Sequence, residues 1–181
     1  EIEVCLVGSE MCIRDSYPPI SGRNHITVWK TAGPFQRSGL TSVQLFDVAF
    51  EPEKDLNSAT WEKMPFGNGF SIWIADLGMF YRLWRDNALA YLVTEVYSRK
   101  DQEAMLYFGA DENVRIWLNG NVIAEKKEGD GFEPDANQVS INLSKGWNLL
   151  LVKSSQSSGI WQFASVICDP EGNPLDELIY K

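Results

Sequence analysis

From residue 88 to residue 168, apolar and polar positions alternate with a period of two, the spacing expected of strands with one face turned inward. Within 104–125, Ala104, Leu106 and Phe108 alternate with Met105 and Tyr107. An acidic break at Asp111-Glu112-Asn113 follows, and then Val114, Ile116 and Leu118 alternate with Arg115 and Trp117. Asn119-Gly120 comes next, a dipeptide that tolerates two consecutive residues at positive φ, and Val122-Ile123-Ala124 returns. This predicts two strands meeting a third across two tight turns, the second of them an Asn-Gly hairpin. Ala88–Ser98 reads as a long strand with Leu89, Tyr91, Val93 and Tyr97 on one face and Ala90, Leu92, Thr94 and Val96 on the other. Both faces are largely apolar, so a central strand covered on both sides is expected. Arg99-Lys100-Asp101 is read as the turn into the next strand. Val139, Ile141 and Leu143 form another strand, Ser144-Lys145-Gly146 turns, Trp147–Lys153 returns, and Trp161–Cys168 is the last long strand.

Upstream the pattern is weaker. His25, Ile26, Val28 and Lys30 alternate with Thr27 and Trp29, and Gly33-Pro34 ends that strand. Val43–Phe50 is a β-prone run stopped by Pro52. From Glu51 to Asn87 short apolar pieces are broken by Gly and charge. This predicts an irregular segment laid over the core, with one short helix near Asp76–Leu83. About eight strands with turn signals between them predict an all-β fold: an antiparallel β-sandwich of jelly-roll type with a long irregular covering segment.

Composition narrows the classes. The 181 residues, 44% of them hydrophobic and including seven Trp, nine Phe and six Tyr, suffice for a globular core. A net charge of −9 argues against nucleic acid and against an anionic membrane surface. No apolar run approaches a membrane-spanning length, so no membrane insertion is expected. Residues 1–16, EIEVCLVGSEMCIRDS, resemble a translated sequencing-adapter read-through, and 17–23 read as a Pro-rich linker. Residues 1–23 are therefore set apart from a module spanning 24–181, and Cys5 and Cys12 carry no metal or redox meaning. Without 1–16 the chain loses four acidic residues and one arginine, leaving 21 acidic and 15 basic side chains, with Cys168 the remaining thiol. No disulfide framework is expected. The missing initiator Met suggests a piece of a longer protein.

Several motifs in order carry a family resemblance. These are the acidic turn, Trp117-Leu118-Asn119-Gly120, Lys145-Gly146-Trp147-Asn148 running into Leu149-Leu150-Leu151-Val152-Lys153, and Trp161-Gln162-Phe163. Upstream, Trp29 with Gly33-Pro34-Phe35 and the run Phe50-Glu51-Pro52-Glu53-Lys54 extend the set. Together they resemble the galactose-binding-domain-like β-sandwich family over about residues 24–176. That resemblance implies a jelly-roll accessory module of a secreted or periplasmic bacterial protein, with carbohydrate and the parent chain's other domains as partners. The acidic pair also resembles the protective-antigen-type carbohydrate-binding domain, in which two adjacent Asp residues hold Ca²⁺. Here Asp111 and Glu112 would be the metal ligands, with Glu112 departing from the pattern; the alternative is a solvated β-turn.

No catalytic constellation stands out. His25, the one histidine, lies among polar residues and is expected at the surface. Cys168 reads as a buried small hydrophobe. Glu95, Glu103 and Asp135 have no spacing that demands a catalytic pair. Sugar binding joins an aromatic platform to planar polar groups. Trp117 and Trp161 are expected in the core or beneath the covering segment, whereas Trp61, Trp73 and Trp84 are expected to be more exposed. The loops 126–137 and 154–159 are the expected rim. The candidate ligand residues are Asp111, Glu112, Asn113, Glu133, Asp135, Asn137 and Gln156. The leading expectation is a non-catalytic carbohydrate-binding module. The alternative is an interdomain spacer with an apolar patch from Phe66, Phe70 and Ile72, and a self-sufficient hydrolase ranks third.

Overall fold

The computed structural model describes residues 24–83, 87–127 and 131–181; the adapter-like segment, the linker and Trp84 lie outside them. The strands are β1 (Lys30–Phe35), β2 (Glu62–Lys63), β3 (Ala75–Asp76), β4 (Ala88–Ser98), β5 (Gln102–Ala110), β6 (Asn113–Leu118), β7 (Asn121–Lys126), β8 (Asn137–Leu143), β9 (Gly146–Gln156), β10 (Gln162–Cys168) and β11 (Ile179–Tyr180). The helices are short: α1 (Ser42–Phe46), α2 (Glu51–Lys54) and α3 (Leu77–Tyr81). A seven-stranded antiparallel sheet runs β2-β1-β4-β9-β6-β7, with β11 on the edge of β4 beyond β1. A four-stranded one runs β3-β10-β5-β8. The all-β sandwich read from the alternation is the fold observed, and among the described residues β1 with β4 through β10 are the eight strands of six residues or more.

The two-sided apolar character of β4 has the expected cause. Ala88, Ala90, Leu92 and Val96 enter the core between the sheets, while Leu89, Tyr91 and Val93 join a second cluster on the outer face. In the main core Leu106, Ile116, Leu150 and Phe163 are fully enclosed, each contributing on the order of 2 kcal/mol of transfer free energy. Trp29 meets Phe163 edge-on at 5.7 Å. Trp161 is buried and donates its indole N–H to Ser154 Oγ at 3.0 Å, as a buried Trp must.

Strand pairing departs from the simplest reading of the turns. Asn119-Gly120 does make a hairpin, with φ of 51° and 81° at the two residues, and β6 pairs with β7. The turns at 99–101, 111–112 and 144–145 instead carry the chain between sheets, since β5 pairs with β10 and β8, and β9 pairs with β4 and β6. Alternation states which side of a strand is apolar; it does not name the neighbour.

Three local expectations are corrected. Val43–Phe50 is no strand, because α1 occupies its first half. Thr41 Oγ1 accepts from the Gln44 N–H at 3.3 Å, and the Gln44 side chain accepts from the Thr41 N–H at 2.9 Å, a reciprocal cap that outweighs the β-prone Val43 and Phe46. Pro52 starts α2 rather than stopping a strand. At the N-terminal side, Ile26 and Trp29 are buried and Val28 is exposed, so 24–29 does not alternate. The expected short helix is α3, capped by Asp76, whose carboxylate accepts from the Met79 N–H at 2.8 Å. The covering layer therefore starts before Glu51, with α1, and continues into α2; together they pack Leu45 and Phe50 on the outer face of the seven-stranded sheet. The stretch after β2 turns inward, placing Met64, Ala75 and Leu77 in the main core.

Three tyrosines make the fold sensitive to alkali. Burial pushes Tyr81 up to about 12, partly offset by its contact with Thr31, and burial raises Tyr91 and Tyr180 further. Above pH about 10 the unfolded chain ionises these phenols while the folded chain keeps their protons, so stability falls as pH rises. Lys153 works in the opposite sense, since burial lowers it; its contribution grows with pH only up to its ordinary value near 10.5 and is then flat. Denaturant midpoints are therefore expected to fall between pH 10.5 and 12. In Tyr81→Phe that decline is shallower; an unchanged slope would show that Tyr81 is not responsible.

Candidate ligand-binding face

The structure separates the residues singled out from sequence. Asp111 and Glu112, adjacent at the crossing between β5 and β6, turn to different neighbours. Burial, and then the charge of Glu112, raise the Asp111 carboxyl, and a hydrogen bond from the Phe132 backbone N–H partly offsets this. Glu112 Oε2 accepts from the Ser157 N–H at 2.7 Å and Oε1 from the Ser157 hydroxyl at 2.6 Å, so both oxygens hold the loop after β9. Among the described residues no third carboxylate, His or Cys gathers with them. Calcium wants several hard oxygens free to converge, and this pair does not fit such a cage.

Asn113 is buried and donates to Ser155 Oγ at 3.0 Å, tying β6 to β9. Asn137 donates to the Phe108 carbonyl at 3.3 Å. Glu133 lies over Gly109, where an added Cβ would overlap the Glu133 carbonyl, so the loop before β8 rests directly on β5. Gln156 is not in a loop. It ends β9, fully buried, and its Nε2 donates to the Leu83 carbonyl at 3.3 Å. His25 is not at the surface either: its ring packs 4.8 Å from Trp73, and Nε2 approaches Asp135 Oδ1 at 3.3 Å. The loop before β8 therefore carries Glu133 and Asp135 and borders Asp111 and Asn137, with Asp135 standing by His25, whereas Glu112, Asn113 and Gln156 serve the end of β9.

A different surface combines the chemistry of a ligand site. On the outer face of β9, Trp147, Leu149, Leu151 and Lys153 point the same way, opposite Tyr97, Glu95, Val93 and Tyr91 of β4. The covering segment closes over the Lys153 end. There Lys153 is fully buried, its ammonium 2.5 Å from Glu53 Oε1 and 2.8 Å from the Val48 carbonyl, and Tyr91 donates its hydroxyl to the same Glu53 oxygen at 2.5 Å. The Trp147 end is open. Between them runs a shallow groove. One part, about 350 Å³, has Trp117, Leu149 and Leu151 as its floor and Glu53, Asp55 and Asn57 on its rim. The adjoining part, about 250 Å³, shares Leu56, Asn57 and Leu149 and continues to Glu95 and Lys181. Trp147 is 45% exposed at the end of this row and meets Tyr97 at 5.2 Å.

Sequence reading missed this face. Trp117 packs beneath the covering segment as expected, yet it also floors the groove. The available signal was the period-two set Trp147, Leu149, Leu151 and Lys153, a second apolar face on a strand whose other face already fills the core.

No protein-family model matches the chain, and no curated protein matches it in sequence. Among solved structures, the A domain of epithelial adhesin 9 from Candida glabrata, in complex with Galβ1-3GlcNAc, is similar with a TM-score of 0.51 at 10% identity, over 91% of this chain and 92% of that one. A PA14 sugar-binding domain from an RTX adhesin has a TM-score of 0.43 at 18% identity and is covered over 52% of each chain. A β-glucosidase from Kluyveromyces marxianus in complex with glucose has a TM-score of 0.48 at 16% identity, over 78% of this chain. The chain spans about half the length of that PA14 domain, 52%, and 16% of the β-glucosidase. The adhesin likeness shows a shared β-sandwich.

Proposed function

We propose that this chain is a non-catalytic carbohydrate-binding module of a larger secreted or periplasmic bacterial protein, and that its ligand lies along the outer face of the seven-stranded sheet. The observation that carries the reading is the groove itself. Its apolar floor of Trp117, Leu149 and Leu151 suits the C–H faces of pyranose rings, and Asn57, Asp55 and Glu95 along its sides suit hydroxyls. The adhesin domain of like fold was solved with a bound disaccharide, which supports this class of ligand. The non-catalytic part is supported by the placement of the candidate carboxylates: Glu95 pairs with Lys181, Asp135 stands by His25 and Glu103 is exposed on β5. Among the described residues no helix is long and apolar enough to cross a membrane.

Calorimetric titration across a broad glycan panel, with and without Ca²⁺, tests the proposal. Binding is expected without added Ca²⁺, and Trp147→Ala, at an exposed position, is expected to weaken it about tenfold, the loss of one stacking contact. Silence over the whole panel under both conditions would refute it.

A second reading, an interdomain spacer, is favoured by one patch. Ile72 is 74% exposed and stands with Val28 and Trp73 around a depression of about 520 Å³. Phe66, grouped with Ile72 in the sequence reading, instead packs on the main core.

A further inference from the structure

The open end of the groove holds a positive charge in an arrangement that a ligand could reproduce. Lys181 Nζ lies 4.0 Å from the centroid of the Trp147 ring and 2.8 Å from Glu95 Oε2. Tyr97 stands beside Trp147, across the β4–β9 pairing. The Lys181 backbone is pinned independently of its side chain, because its N–H and C=O exchange hydrogen bonds with Glu95, both 3.1 Å. The side chains stay half open, 53% exposed for Lys181 and 39% for Glu95. An indole face with an adjacent carboxylate is the set of groups that recognises an alkylammonium. We propose that Trp147, Tyr97 and Glu95 form an ammonium-binding subsite, filled in the free protein by the chain's own Lys181, and that its ligand is a glycan carrying protonated amines, an amino sugar of the deacetylated glucosamine type.

Exchange, continuity and length tie this geometry to that ligand. The first is exchange. The exposed ion pair and cation–π contact hold Lys181 only weakly, so a ligand amine that remakes both contacts returns that long, flexible side chain to water at a net gain. The second is continuity: Glu95 and Lys181 line the same groove as Leu149 and Asn57, so a chain bound there presents its rings to the apolar floor and an amine to Glu95. The third is length. Trp117 is paired with Leu151, four residues along β9 from Trp147, roughly 13 Å at 3.3 Å per residue. The ligand is therefore an oligomer able to meet both indoles, and it runs past the open end rather than ending in a blind pocket. This inference rests on the carbohydrate reading and specifies its ligand.

The test is calorimetric titration of the 181-residue chain with a glucosamine hexamer, its fully N-acetylated counterpart, a neutral glucose hexamer and a lysine-rich peptide. The glucosamine hexamer is expected to bind about tenfold tighter than the N-acetylated one. Lys181→Ala, which removes the internal competitor, is expected to tighten the amine oligomer about fivefold. Glu95→Gln is expected to erase the preference while leaving weak binding of both oligomers. Thermal melts verify that each variant is folded. Equal affinity for the amine and N-acetylated hexamers overturns the subsite and leaves the carbohydrate reading standing. So does a folded Lys181→Ala with unchanged affinity. Preference for the peptide over the amine hexamer overturns the assignment of ligand, and failure of all three hexamers to bind overturns the subsite, with the broad glycan panel then deciding the carbohydrate reading.

Discussion

Lys153→Ala is expected to destabilise the fold by about 3–5 kcal/mol, lowering the melting temperature of a chain this size by roughly 10–15 °C. The ammonium is fully buried between Glu53, the Val48 carbonyl and the rings of Phe46 and Tyr91, 5.3 and 5.8 Å from their centroids. Truncation leaves the Glu53 side chain of α2 with only the Tyr91 hydroxyl to answer its charge, and it opens a void where three methylenes and the ammonium packed. Burial itself opposes the charge, lowering Lys153 from its ordinary value, and Glu53 only partly restores it. The net worth of the pair is therefore much smaller than the cost of breaking it. The double variant Lys153→Met, Glu53→Gln removes both charges and keeps the volume. It is expected to recover more than half of the loss in a denaturant titration. A double variant as unstable as Lys153→Ala would show that an uncompensated charge is not the cause.

Asn148→Asp is expected to cost about 3 kcal/mol or more. Asn148 is fully buried, and its Nδ2 lies within hydrogen-bond distance of the carbonyls of Val96, Ser144 and Gly146 at 3.3, 2.8 and 3.2 Å. Its Oδ1 accepts from the Ser144 N–H and from Asn119 Nδ2, both at 2.9 Å. One side chain thus joins β4, the crossing from β8 to β9 and the β6–β7 hairpin. An aspartate would aim a second oxygen at three carbonyls and bury an unpaired charge. The damage is expected to spread, because Asn119 also accepts from the Leu149 N–H at 2.8 Å, at the floor of the groove. Amide exchange should quicken at Ser144, Asn119 and Leu149 together. Quickening confined to Ser144 would reduce Asn148 to a local turn residue.

Much of the architecture was legible because its cause is local. The two apolar faces of Ala88–Ser98, the Asn119-Gly120 hairpin and the burial of Cys168 all follow from side-chain period or turn chemistry within a few residues. What stayed hidden depends on partners far along the chain. His25 looks exposed among its neighbours and is buried by Trp73 and Asp135. Lys153 looks like the polar end of a strand, but β9 continues to Gln156, and the lysine finds its counter-charge 100 residues upstream. Val43–Phe50 reads as β because propensity is summed over the window, while the Thr41–Gln44 cap is one reciprocal pair outside its apolar part. The candidate face was hidden for a related reason. Its residues come from β4, β6, β9 and the segment around Asn57, and no motif in any one of them announces the groove.

The crossings between sheets bear on how quickly this chain finds its structure. From β4 to β10 only β6 and β7 are both sequence neighbours and paired strands. That hairpin can zip within microseconds, but each remaining strand must wait for a partner brought in by closure of a long loop, and such topologies fold in milliseconds to seconds. During that interval the apolar edges of β4 and β9, innermost in the finished sheet, stand open to other chains. Synthesis at high concentration thus becomes a race between β4–β9 pairing and aggregation.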